Sequence, residues 1–153
     1  MTSTWAGHPS NRILVGVDWD TTSIVLDWAA REAWLRSASM HVVNVWPPLR
    51  PLRPSTDPAQ AAQEIVDAAE RHLSGVTHLT GEPVCGEAGH VLVALSATAS
   101  LLVLGSSRRQ GNGGLLLGGV AQHCVRQAHC PVTVVPMGWH EMSIASTELT
   151  GMA

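Results

Sequence analysis

The chain of 153 residues contains no lysine, no tyrosine and no phenylalanine, so all nine of its cationic side chains are arginine. Without lysine there is no phosphate-loop lysine, no Schiff base and no lysine general base. Without tyrosine no phenol can act as acid, base or radical. Charge is scarce as well: charged residues make up 14% of the chain and the formal net charge is −3. A broad nucleic-acid footprint needs a strongly basic face, so no nucleic-acid partner is expected. No apolar run reaches the roughly 18 residues that a membrane helix needs, so no membrane partner is expected either. The opening stretch Met1 to Arg12 is small and polar, with neither a basic start nor an apolar stretch, and a cytoplasmic address is expected. The three cysteines, Cys85, Cys124 and Cys130, are odd in number and form no C-x-x-C pair. They are expected to be reduced, buried small hydrophobes.

What is present is a folded composition, 45% apolar, in a chain of one-domain length. Arg12 to Val17 is a compact apolar run ending at Asp18 and predicts a buried parallel strand. Asp20, Thr21 and Thr22 supply capping side chains for a helix from about Thr22 to Arg36, with an apolar stripe through Val25, Trp28, Ala29 and Leu35. His41 to Trp46 (HVVNVW) predicts a second strand, bounded by Pro47 and Pro48. A proline-rich stretch from Pro47 to Asp57 follows, and Asp57 with Pro58 opens a helix to about Leu73. Val76 to Val84 predicts a third strand, frayed at Pro83 and so towards an edge. Glu87 to Ala97 predicts a helix, Leu101 to Leu104 a strand, Gly118 to Ala128 a helix and Val132 to Val135 a last short strand. Strands alternating with helices predict an α/β fold: a single doubly wound, mostly parallel five-stranded sheet with helices on both faces. The expected domain covers residues 11–137, with a disordered segment at 1–10 and a tail at 138–153.

In such a sheet ligands bind beyond the carboxyl ends of the strands, where the strand order reverses. After the first strand comes Asp18-Trp-Asp-Thr21. After the fourth comes a glycine-rich segment from Gly105 to Gly114, carrying Ser106, Arg108 and Arg109, and then Leu115 to Gly119 leading into the last long helix. Glycine lets backbone amides approach a ligand, and the helix start adds unpaired N–H groups and a positive dipole end. A polyphosphate suits that environment; so does a solvated loop that only joins strand to helix. The segment is neither a Walker loop, since G-x-x-x-x-G-K-S/T is missing, nor a Rossmann fingerprint, since G-x-G-x-x-G is missing.

Leu102 to Pro136, LVLGSSRRQGNGGLLLGGVAQHCVRQAHCPVTVVP, resembles the carboxyl-terminal signature of the universal stress protein family. ILVGVDWDTTS resembles that family's first strand and turn, where V-G-V-D-G-S is usual. The resemblance implies an adenine nucleotide alpha-hydrolase-like fold and a bound adenine nucleotide, ATP, with or without magnesium. The family's nucleotide-binding pattern is G-x2-G-x9-G-S/T. Gly105 and Gly118 fill its first and last glycines, whereas Arg108 stands at the second glycine and Gly119 at the hydroxyl position. The resemblance implies a site of Gly16, Val17, Asp18, Val45, Gly105, Ser106, Arg108, Arg109, Gly118, Gly119 and Val120. Asp18 would contact ribose or phosphates, Val45 would sit against the adenine, and Val120 would line the phosphate end. Trp19 and Asp20 replace a usual Gly-Ser, making that side bulkier and more acidic. The resemblance also implies a homodimer through Val132 to Val135, whose apolar edge invites pairing.

Other constellations read as structural. His123-Cys124 and His129-Cys130 recur six positions apart, which does not share a helix face, so no metal is expected. Asp18 and Asp20 have no nucleophile with an evident base beside them. Three readings follow. The chain is a regulatory nucleotide-binding protein with at most slow ATP hydrolysis and no catalytic residue, a dimeric interaction module that has lost the nucleotide, or an enzyme on the same scaffold.

Overall fold

The computed structural model describes residues 11–19, 21, 23–48, 57–106 and 117–136. The expected terminal segments, residues 49–56 of the proline-rich loop and the centre of the glycine-rich segment lie outside the described residues.

Elements follow in the order β1 (Arg12–Gly16), α1 (Ser23–Arg36), β2 (Ser39–Trp46), α2 (Pro58–His72), β3 (Leu79–Cys85), α3 (Ala88–Ser96), β4 (Leu101–Gly105), α4 (Gly119–Gln127) and β5 (Val132–Val135). The five strands form one sheet in the order β3-β2-β1-β4-β5, every pair parallel. β1 leads outward to β2 and β3 on one side, and β4 leads to β5 on the other. The strand order therefore reverses between β1 and β4, and a crevice opens above their carboxyl ends.

Alternation along the strands divides the interior in two. Ile13, Val15, Leu101 and Val103 face α1 and α2, packing with Val25, Ala29 and Ala69. Leu14, Leu102 and Leu104 face the other way, onto Leu92 of α3 and onto Ala121 and Cys124 of α4. Both faces of β1 and β4 are buried, which is why these strands read as unbroken apolar runs. Each fully buried Val, Leu or Ile contributes about 1.5–3 kcal/mol.

Local chemistry sets the helix starts. Asp57 accepts a hydrogen bond from Ala59 N at 3.0 Å, and Pro58 follows at the first helical position, where its missing N–H costs nothing. Glu87, expected inside α3, is its N-cap and accepts from His90 N at 3.0 Å. The capping role expected of Asp20 and Thr22 lies outside the described residues. Thr21 spends its hydroxyl on Asp18, accepting from Asp18 N at 2.8 Å and donating to Oδ1 at 3.0 Å.

Three expectations are corrected. β3 begins at Leu79, not Val76, because Val76 N bonds back to Leu73 O at 2.8 Å and His78 takes a positive φ of 60° before the strand can start. Leu35 is 57% exposed, since the buried line of α1 runs through Val25, Ala29 and Ala33 at four-residue steps and turns Leu35 outward. Cys85 is exposed because it ends the edge strand β3; Cys124 is buried and Cys130 half-buried, and all three thiols are free. Pro83 does sit on an edge strand, where the ladder loses least from a missing N–H.

Candidate functional site at the carboxyl ends of β1 and β4

A cavity of about 300 Å3 occupies the crevice at the point of strand reversal. Nine of the eleven residues expected from the sequence line it. β1 and its turn supply Gly16, Val17 and Asp18, and β2 supplies Val45. Gly105 and Ser106 come from the end of β4, and Gly118, Gly119 and Val120 from the start of α4. Arg108 and Arg109 lie outside the described residues.

Each wall has a reason for its position. Gly16 ends β1 where Leu104 and Leu92 press in from the neighbouring strand and from α3. A Cβ there would lie 2.7 Å from Leu104 Cδ2 and 3.3 Å from Leu92 Cδ1, so only glycine keeps both the close packing and the depth of the cavity. Val17 N donates to Val43 O at 2.9 Å, and Asn44 Nδ2 donates to Val17 O at 2.7 Å. The backbone of the β1–α1 turn is thereby fixed to β2 on both sides of the peptide. Asn44 is buried and its amide bonded, as a buried polar group must be. Asp18 then stands exposed at the mouth, with Thr21 closing a short loop on its carboxylate.

Two helix N-termini reach the cavity, and they differ. α3 arrives through Ala88, but the carboxylate of Glu87 already occupies its first-turn amides. The His90 N–H is the main cause holding the Glu87 carboxyl below its usual range, with the His90 and His123 imidazoles adding to it. α4 starts from Gly118, which has no side chain to offer as a cap. The first intrahelical bond runs from Gln122 N to Gly118 O at 3.0 Å, so the amides of Gly119, Val120 and Ala121 precede it at the cavity wall. An anion placed there meets the positive end of the helix dipole.

The rest of the lining is apolar: Val25, Val43, Leu92 and Leu104 form the deep part. The cavity thus has a greasy interior suited to a flat ring and a mouth of backbone amides suited to phosphate, with one carboxylate between them. Sequence reading missed Thr21, Val25, Val43, Ala88, Leu92, Leu104 and Ala121. Val25 and Leu104 carry a signal, being the apolar residues nearest the expected turns. Ala88 and Leu92 carry none, because only the crossover of α3 above β1 brings them there.

Among the described residues no group of three His, Cys, Asp or Glu side chains could hold a metal ion. His123 instead packs edge-on against His90, ring centroids 5.1 Å apart, and covers Gly89. Burial pushes the Cys124 thiol up to about 11, and burial also raises that of Cys130. None of the described helices is long and apolar enough to cross a membrane.

Among curated proteins, a universal stress protein of Mycobacterium tuberculosis is 31% identical, the match covering 81% of this chain and 47% of the relative. The chain spans about half the length of the curated relatives it matches. Among solved structures, a universal stress protein from Archaeoglobus fulgidus superposes with a TM-score of 0.65 at 26% identity, over 81% of this chain and 97% of that one. The universal stress protein from the same organism in complex with dAMP superposes with a TM-score of 0.61 at 25% identity, over 81% and 96% of the two chains. The model of the universal stress protein family matches residues 9–136, which takes in the nine strands and helices of the described residues and the described walls of the cavity; the chain belongs to the universal stress protein family.

Proposed function

We propose that the protein binds an adenine nucleotide in the cavity above β1 and β4 and uses it as a regulatory ligand. The observation that carries this is the convergence of four separate segments, Gly16–Asp18, Val45, Gly105–Ser106 and Gly118–Val120, on one cavity with an uncapped helix start at its mouth. The relative described in complex with dAMP supports an adenylate as the ligand class. In the proposed pose the adenine lies against Val45 and Val43, Asp18 meets the ribose hydroxyls, and the phosphates face the amides of Gly119 and Val120. ATP is the form we propose, with Arg108 or Arg109 pairing phosphate oxygens where the family pattern has glycine. Magnesium would enter with the phosphates, as the cation usually does, and would offset the charge of Asp18. The proposal includes a cytoplasmic protein acting as a homodimer through the outer edge of β5, Val132–Val135, whose one strand partner among the described residues is β4.

The test is calorimetric titration of the purified protein with ATP and magnesium, beside dAMP, together with mass analysis of any nucleotide carried through purification. Saturation near one nucleotide per chain is the expected result. A flat titration with no carried nucleotide overturns it. Gly119, which lacks the hydroxyl of the family pattern, favours a second reading, a dimeric interaction module without nucleotide; light scattering that gives a dimer beside a flat titration would select it. Arg108→Gly separates the two roles of that arginine: weaker binding shows a phosphate contact, tighter binding an obstruction.

A further inference from the structure

Outside the cavity, α3 and α4 meet through two imidazoles. His90 of α3 and His123 of α4 pack edge-on, with ring centroids 5.1 Å apart and ring planes at 72°. Gly89, next to His90, makes the contact possible. A Cβ there would lie 2.8 Å from Cδ2 of His123, so the bare backbone lets that ring seat against α3. Glu87 completes the group: its Oε2 lies 2.9 Å from His90 Nδ1, and its Oε1 would lie 3.4 Å from the same Cβ position. In that arrangement a neutral imidazole carries its proton on Nδ1 and leaves Nε2 a lone pair. The His90 side chain is 76% exposed and His123 is half-buried beside it, so solvent reaches the pair. None of Glu87, His90 and His123 lines the nucleotide cavity.

We propose that His90 and His123 form a two-imidazole site for a divalent first-row transition cation, one of the nickel, copper and zinc group that imidazole suits. The spacing agrees. With metal–nitrogen bonds of about 2.0–2.1 Å and each nitrogen about 1.1 Å from its ring centre, two imidazoles at adjacent corners of a metal have centroids about 4.5–5.2 Å apart. The observed 5.1 Å lies in that range, so no shift of either helix is called for. Glu87 acts as a carboxylate does behind a ligating histidine. It fixes the tautomer and makes Nε2 a better donor, and its charge favours a cation nearby. Three side-chain ligands are not available among the described residues, so water fills the remaining positions. Hard cations that prefer oxygen ligands, magnesium and calcium, gain nothing from the pair. A cation held by both rings links α3 to α4 and stabilises the fold by mass action.

The experiment is a 15N NMR titration of the untagged full chain with Ni2+ alone, in protein verified free of nucleotide, so that its outcome is separate from that of the nucleotide titration. Nickel(II) with water ligands is paramagnetic, which localises it, and it does not oxidise thiols. It is expected to saturate near one ion per chain and to broaden the amide signals of Gly89, His90 and His123 first. At roughly 100 times the dissociation constant it should raise the melting temperature by about 5–10 °C. Magnesium at the same concentration should do neither. His90→Asn and His123→Asn should each weaken nickel binding at least about tenfold. Glu87→Gln, which keeps an oxygen for the helix cap, should weaken it about tenfold. His129→Asn, on the turn after α4, should leave it unchanged. The His90 side chain is exposed, so its variant keeps the test open whatever His123→Asn does to folding, and melting curves without metal verify each protein. The proposal is overturned if the broadening centres on other residues, or if magnesium reproduces it. It is overturned equally if any of the His90, His123 and Glu87 variants binds nickel as tightly as the parent chain.

Discussion

Gly16 and Leu104 face each other across the β1–β4 pair so closely that a methyl group on Gly16 would lie 2.7 Å from Leu104 Cδ2. The two residues form the bottom of the cavity at the strand reversal, one by having no side chain and the other by filling the space beside it. Gly16→Ala should therefore destabilise the fold by about 1–3 kcal/mol, since Leu104 and Leu92 must both give way in a packed core. It should weaken adenylate binding too, by raising the cavity floor. Leu104→Ala alone should cost about 2–5 kcal/mol through the void it leaves. The double variant should cost less than the two single losses added, with a coupling of about 0.5–3 kcal/mol measurable by urea denaturation.

Gly119 is the opposite case. A Cβ there would meet nothing within 4 Å, so the position is open where Gly16 is closed. Gly119→Ser should restore a hydroxyl at the uncapped start of α4 without strain. A hydrogen bond to a charged phosphate contributes about 1.5 kcal/mol or more, so nucleotide affinity should rise about tenfold. Calorimetry on the two proteins decides it. Unchanged affinity would place the phosphates away from α4.

The order of the elements was legible because both faces of β1 and β4 are covered, giving apolar runs that no amphipathic helix would show. The site was legible in part, through glycines at strand ends and the helix start. What could not be read were contributions from elements distant in sequence. Ala88 and Leu92 reach the cavity only through the α3 crossover, and their own neighbourhood in sequence looks like any apolar helix. Nor could the shallow hollow between α1 and α2, lined by Val17, Leu26 and Ala69 among others, be read. It arises because α2 packs beside α1, bringing Glu64 and Ile65 to a turn more than forty residues earlier. The three-residue shift in the start of β3 has a local cause, the positive φ of His78, for which histidine is only a weak signal.

The thiols should react in the order of their exposure. Cys85 is exposed and should label first with iodoacetamide at pH 8 in the native protein, half-buried Cys130 more slowly, and buried Cys124 only after denaturation. Burial raises the Cys124 thiol from 9.0 to about 11 in the folded chain. A group with a raised folded value keeps its proton longer in the native state than in the unfolded one. Its stabilisation is fully present below pH 9 and is lost as pH rises through about 11. Cys124→Ala should flatten that alkaline limb in a series of melting curves, at the cost of a small cavity.

Ser96 joins α3 to the turn before β5 through one hydroxyl. It is fully buried, donates to Val93 O at 2.6 Å and accepts from His129 N at 2.9 Å. The bond to His129 fixes the chain between α4 and β5, and so helps set both where α4 begins its approach to the cavity and where β5 presents its outer edge. Ser96→Ala removes the acceptor and leaves the His129 amide without it in a half-buried place, which should cost about 1–3 kcal/mol. Ser96→Cys keeps the size but offers a weaker acceptor and should fall between the two. Hydrogen exchange gives the sharper measurement. If the bond orders the turn, the His129 amide should exchange faster in Ser96→Ala by more than the global loss of stability accounts for, with the β4 amides following the global value. Equal acceleration everywhere would make Ser96 a matter of packing alone, and the position of β5 would then rest on its pairing with β4.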